Sequence, residues 1–229
     1  LLIGLKKNHS LGIGLFFFFI CFIMTDIIKN YREIVSEINK FHKKFSLTSK
    51  NPKLIAVSKT FPEDVIQKII NQGHKIFGEN KVQEAALKWK SLKNINKEIE
   101  LHLIGPLQSN KVSLALEVFD VIQTIDREKI VKKIKNQIDE NFPYKNFKFF
   151  IQVNLGGEEQ KSGLSPSHLK DFLRWCVNDI NLSISGLMCI PPVDQDSSYF
   201  FNLLRNLCDQ YSLNDASMGM SSDYDKAIQ

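Results

Sequence analysis

From Met24 onward, short apolar runs alternate with amphipathic stretches, and that order restricts the chain to few architectures. The apolar runs cover residues 54–59, 75–80, 101–106, 121–126, 147–154, 184–190 and 215–221. Helical patterns lie at 26–45 and then between the runs, at 63–71, 81–92, 127–140, 166–179 and 198–211. In the first of these, Ile27, Ile28, Tyr31, Ile34, Val35, Ile38 and Phe41 recur at helical spacing. Strand, helix, strand at intervals of roughly 20–35 residues predicts right-handed βαβ units in a parallel sheet. Such a series suits a doubly wound sheet or a (β/α)8 barrel lacking its last unit. No GxGxxG follows the first strand, which weighs against a dinucleotide-binding sheet. Polar residues gather instead at the ends of many strands: Lys59, Glu79-Asn80, Gln108, Asp126, Asn154 and Ser221. A barrel predicts this, because all its strand ends face one mouth.

Residues 1–23 differ in character. Lys6-Lys7 precede an apolar and glycine stretch from Leu11 to Met24 that contains Phe16-Phe17-Phe18-Phe19. The order is that of a signal peptide's basic and apolar regions, but no small-residue cleavage site follows. The stretch is short for a membrane span, which needs about 20 apolar residues. Met24 stands directly before Thr25-Asp26, a plausible helix start. The reading adopted is that 1–23 are upstream read-through and that 24–229 form one barrel domain, truncated before an eighth strand. A membrane association follows only if 1–23 belong to the protein.

Composition narrows the partners. The net charge of +5 is modest, and the lysines are scattered among acidic and amide residues. Lys132, Lys133 and Lys135 have the spacing of a solvated helix face, so nucleic acid is not an expected partner. Cys21, Cys176, Cys189 and Cys208 form no CxxC pair and no metal-ligand spacing. No metal site is expected, and Cys176, Cys189 and Cys208 read as small core residues in a reducing compartment.

Lys59 is the most informative single residue. It closes the run Leu54-Ile55-Ala56-Val57-Ser58, and Phe61-Pro62-Glu63-Asp64 follows as a turn and helix start. A lysine there is either an exposed strand end or an amine in the mouth whose burial favours Schiff-base chemistry. Asn80 ends Phe77-Gly78-Glu79-Asn80 and reads equally as a rim ligand or a helix cap. His102, alternating with apolar neighbours, reads more readily as a satisfied core histidine than as a catalyst. The loop from Gly156 to Gly163 is polar and glycine-flanked, either a ligand loop or a solvated connection. Ser217-Met218-Gly219-Met220-Ser221-Ser222 offers hydroxyls and backbone N–H groups to an anion, or simply caps a helix.

Taken in order and spacing, these blocks resemble one family. Ala56-Val57-Ser58-Lys59-Thr60, Phe77-Gly78-Glu79-Asn80 with Val82-Gln83-Glu84, and residues 102–111 match its signatures. So do Ile151-Gln152-Val153-Asn154, Glu159-Gln160-Lys161-Ser162-Gly163-Leu164, Gly186-Leu187-Met188 and Ser217-Met218-Gly219-Met220-Ser221. The chain resembles the pyridoxal phosphate homeostasis proteins, single-domain relatives of the alanine racemase N-terminal barrel. The resemblance implies a TIM barrel of that type, with Lys59 holding pyridoxal 5′-phosphate (PLP) as an internal aldimine. It implies Ser221 at the phosphate and Asn80, His102 and Met218 around the cofactor. It further implies a cytoplasmic monomer that buffers PLP and delivers it to PLP-dependent enzymes, without turnover or a catalytic residue of its own. The alternative on the same barrel is a PLP-dependent racemase, decarboxylase or aldolase. A racemase would need a second acid–base group, which related enzymes take from a separate β-domain. The family's eighth strand carries an Arg-Ile-Gly block that has no counterpart after Ser222 here.

Overall fold

The computed structural model of the chain describes residues 2–4, 16–45, 51–158 and 160–229, and side chains over 27–44, 51–158 and 160–229. Eight strands form one sheet in sequential order: β1 (Leu2–Gly4), β2 (Ile55–Val57), β3 (Ile76–Glu79), β4 (Glu100–Leu103), β5 (Val121–Ile125), β6 (Lys148–Gln152), β7 (Gly186–Met188) and β8 (Asp215–Ser217). All neighbours pair in parallel. A helix fills every crossover: α1 (Phe16–Phe45), α2 (Glu63–Ile70), α3 (Val82–Ile95), α4 (Val112–Val118), α5 (Glu128–Asn141), α6 (Pro166–Arg174) and α7 (Ser197–Gln210), with α8 (Tyr224–Ile228) after the last strand. Sequential parallel strands with a helix between each pair are the (β/α) barrel arrangement expected from the sequence.

Strands β2 to β8 coincide with the seven apolar runs, because these are the segments with enough contiguous apolar residues to be covered on both faces. Three features differ from expectation. Leu2, Ile3 and Gly4 pair with Ile55, Ala56 and Val57, so the first barrel strand is not left as an open edge. The backbone groups of Ile55–Val57 facing away from β3 would otherwise go unpaired. Helix α1 starts at Phe16 rather than near Asp26, since neither proline nor glycine interrupts residues 16–45. Helix α4 spans only seven residues after the tight turn Ser109–Lys111, too short for its periodicity to stand out. Among the described residues no helix is long and apolar enough to cross a membrane.

The period of two along each strand sorts its side chains into two layers. Phe77, Leu101, Leu103, Ile122, Phe149, Ile151 and Leu187 face the helices and pack with Ile66, Trp89, Leu116, Ile130, Leu169 and Leu204. Each such side chain contributes about 1.5–3 kcal/mol when fully buried. The alternate positions line the inner face: Ile55, Val57 and Ile104 with Ile76 and Met220, and Val121 with Phe150 and Met188. Helix α1 adds a further contact, Ile34, Ile38 and Phe41 meeting Leu54, Tyr224 and Ile228. Its last turn carries His42, Lys43 and Lys44, a favourable sign for the carbonyl end of a helix.

Candidate functional site

Lys59 lies just beyond β2, two positions after the inward-facing Val57, at the corner of a tight turn. Phe61 N–H donates to Ser58 C=O across 3.2 Å, which makes Lys59 and Thr60 the central residues. Thr60 has φ +66°, a left-handed conformation that such turns usually assign to glycine. Lys59 is exposed, not buried as an activated amine was expected to be, because the strand ends before it and the turn carries it outward.

The turn is fastened from behind by α3. The Lys88 ammonium donates to Ser58 C=O (2.9 Å) and Phe61 C=O (3.4 Å), and Glu84 accepts from Thr60 N–H (2.7 Å). Lys88 is 8% exposed and is compensated by Glu79 at 2.9 Å and Glu84 at 3.2 Å. Glu79, fully buried, also accepts through Oε1 from the Ser58 hydroxyl (2.6 Å) and the Trp89 indole N–H (3.0 Å). The Thr60 N–H, and after it Lys88, hold the Glu84 carboxyl below its ordinary range. Sequence reading placed Glu79 and Glu84 in matching blocks but gave no role to Lys88. The available signal was its position four residues after Glu84, on the helix face that also carries Trp89.

Asn80 follows β3 and does not cap α3, whose N-terminal flanking residue is Lys81. Its Oδ1 is buried and has no hydrogen-bond partner among the described residues. Its carbonyl is crossed closely by Gly105: a Cβ there would stand 2.2 Å from the Asn80 oxygen. After β8, Gly219 takes φ +83° and breaks the strand alternation. Met220 therefore turns inward beside Val57 and Ile104, while Met218, the expected ligand neighbour, packs against the helix-side core. The Met220 N–H is taken by the Asp223 carboxylate at 2.6 Å, and Ser221 and Ser222 next to it are exposed.

His102 faces inward and belongs to a buried hydrogen-bonded chain. Its Nδ1 accepts from the Gln123 amide (2.7 Å), whose oxygen accepts from the Ser217 hydroxyl (2.7 Å). Its Nε2 lies 2.9 Å from Glu100, which also pairs with Lys148 at 2.7 Å. Both ring nitrogens are thus committed to protein partners, as a satisfied core histidine's would be. Below it a cavity of about 730 Å³ opens at the amino-terminal ends of the strands, lined by Glu100, His102, Lys148, Asp215 and Ser217. In barrels that end serves stability rather than chemistry.

Burial pushes the His102 pKa down, and the His102 N–H, with Lys148, holds Glu100 down to about 2. Below the ordinary imidazole range the unfolded chain therefore binds more protons than the folded one, so stability falls as pH falls. We expect a loss of up to about 1.4 kcal/mol per pH unit across that window, measurable by denaturant unfolding from pH 7 to pH 5. His102→Gln should flatten the slope.

The loop after β6 folds back on the sheet. Asn154 Nδ2 donates to Glu158 C=O at 2.8 Å, and Gln152 Nε2 to Ser162 C=O at 3.2 Å, so both amides are engaged within the loop. Burial raises the Cys176 and Cys189 thiols to about 12, which suits inert core residues. Cys21 lies outside the described side chains. Among the described residues no cluster of His, Cys, Asp and Glu could hold a metal ion.

Comparison with known proteins agrees with the architecture. The family model for the alanine racemase N-terminal domain matches residues 32–223. A pyridoxal phosphate homeostasis protein of Vibrio cholerae is 36% identical over 216 residues, covering 90% of this chain and 91% of the relative. One from Aquifex aeolicus is 37% identical over 186 residues, covering 77% and 80%. Among solved structures, PipY of Synechococcus elongatus with PLP bound aligns at a TM-score of 0.70 and 31% identity, over 83% of this chain and 92% of PipY. Alanine racemase of Clostridium difficile, at 10% identity and TM-score 0.61, covers 85% of this chain and 51% of its own length, a likeness of fold alone. This chain belongs to the alanine racemase N-terminal domain family, together with the pyridoxal phosphate homeostasis proteins.

Proposed function

We propose that the chain binds PLP covalently through Lys59 and serves cytoplasmic PLP homeostasis, holding the cofactor and releasing it to PLP-dependent enzymes. The observation that carries this is the fastened turn, which presents one exposed amine at the carboxyl ends of the strands. The relatives' names and the PLP-bound PipY structure support the choice of ligand. The residues present fit the group. Asn80 Oδ1, buried and without a partner among the described residues, suits a donor such as the cofactor's ring hydroxyl. The small and hydroxyl residues from Gly219 to Ser222 suit its phosphate. When bound, the group would supply an aldehyde able to condense with the Lys59 amine. Lys59 supplies the nucleophile, Asn80 an acceptor, and Met220, Val57 and Ile104 an apolar floor. An exposed lysine suits reversible retention, since water can reach the bond and return the cofactor to solution.

The test is titration of the full chain with PLP and with unphosphorylated pyridoxal. Ser221→Ala removes a hydrogen bond to a charged group and should weaken PLP binding by roughly ten- to a hundredfold. Pyridoxal binding should hardly change. Equal weakening of both ligands would contradict a phosphate role for Ser221.

A further inference from the structure

We propose that Glu84 and Lys88 are positioning residues for Lys59: by clamping the turn from Ser58 to Phe61 they set the strength of its covalent link to the cofactor. The inference rests on the reading of Lys59 given above. Lys59 is exposed and takes no part in the network behind it, so the backbone must place its amine. Each flanking residue is gripped by α3: Ser58 C=O and Phe61 C=O by Lys88, and Thr60 N–H by Glu84. Those side chains sit one helical turn apart and bond each other at 3.2 Å, so they act as one clamp.

A β-branched residue such as Thr60 at φ +66° persists only where its surroundings over-determine it, and here the Glu84 carboxylate holds its N–H. Lys88 likewise occupies a place where an apolar residue would pack at less cost in desolvation. An apolar residue could not bind two carbonyls of the turn. The clamp therefore suits pre-organisation of the amine rather than stability alone.

The experiment compares the full chain with Glu84→Ala and Glu84→Gln, using PLP and pyridoxine 5′-phosphate as ligands. The second carries an alcohol in place of the aldehyde, so it reports phosphate and ring contacts without the covalent link. We expect Glu84→Ala to weaken PLP about tenfold, as for loss of one charge-assisted hydrogen bond, and to leave pyridoxine phosphate unchanged. Glu84→Gln keeps an oxygen for the Thr60 N–H and should recover most of the loss. Lys88→Met, checked for folding by thermal unfolding, should show the same selectivity. Unchanged PLP affinity in Glu84→Ala, or equal weakening of both ligands, would overturn the clamp. A wild-type chain with no preference for PLP over pyridoxine phosphate would instead overturn the Lys59 reading, and the clamp with it.

Discussion

Glu79→Ala is expected to cost about 3–5 kcal/mol of folding stability, the penalty for removing one member of a buried ion pair. Glu79 is fully buried and through a single oxygen pairs with Lys88 and accepts from Ser58 and Trp89. Without it, Lys88 keeps only the half-exposed Glu84 as a counter-charge, and the Trp89 N–H loses its acceptor inside the core. Pairing the change with Lys88→Met should recover much of the loss, because no uncompensated charge then remains. Denaturant midpoints of the single and double variants measure this directly. A loss below about 1 kcal/mol for Glu79→Ala, the worth of a surface pair, would mean that the network is not buried as described.

Lys59→Ala is expected to abolish covalent PLP binding while leaving the fold almost untouched. The side chain is exposed and lies outside the network behind the turn, so the stability change should stay within about 0.5 kcal/mol. What disappears is the nucleophile: no yellow chromophore should develop with PLP, and borohydride should leave no added mass. Non-covalent binding through the phosphate should persist at lower affinity. A large fall in stability would make Lys59 a structural residue. A retained adduct would move the covalent site to another lysine.

The fold was legible because its signal is local. Seven apolar runs separated by helical periods leave few parallel arrangements, and strands β2 to β8 fall on those runs. β1 was missed because its three residues, Leu2–Gly4, lie in a segment whose composition suggested something other than a barrel strand. The site was legible only in part. Asn80 directly follows β3, where alternation fixes its place, whereas Lys59 lies in a turn beyond β2 that alternation does not describe. His102 was read correctly as inward-facing, yet periodicity cannot say toward which end of a barrel an inward side chain is bonded. Glu100, two residues earlier on β4, shares its face, but Gln123 of β5 and the Ser217 of β8 that Gln123 binds have no spacing in the sequence that links them to it. Met220 joins the inner face because Gly219 at φ +83° shifts the alternation by one residue, while Met218, next to the inward Ser217, keeps its helix-side place. Lys88 escaped notice because a lysine inside a helical pattern ordinarily reads as solvated. Only the three-dimensional contact with Ser58 and Phe61 reveals it as buried.

One lysine among many, Lys59 at the corner of a clamped turn, is proposed to carry the cofactor. The most direct measurement is to incubate the wild-type chain with PLP, reduce with borohydride, digest, and locate the added pyridoxyl mass by tandem mass spectrometry. A stoichiometric adduct is expected on the peptide containing Ala56-Val57-Ser58-Lys59, with only background labelling elsewhere. An adduct distributed over the exposed lysines, or one centred on a lysine outside the Ser58–Phe61 turn, would contradict it.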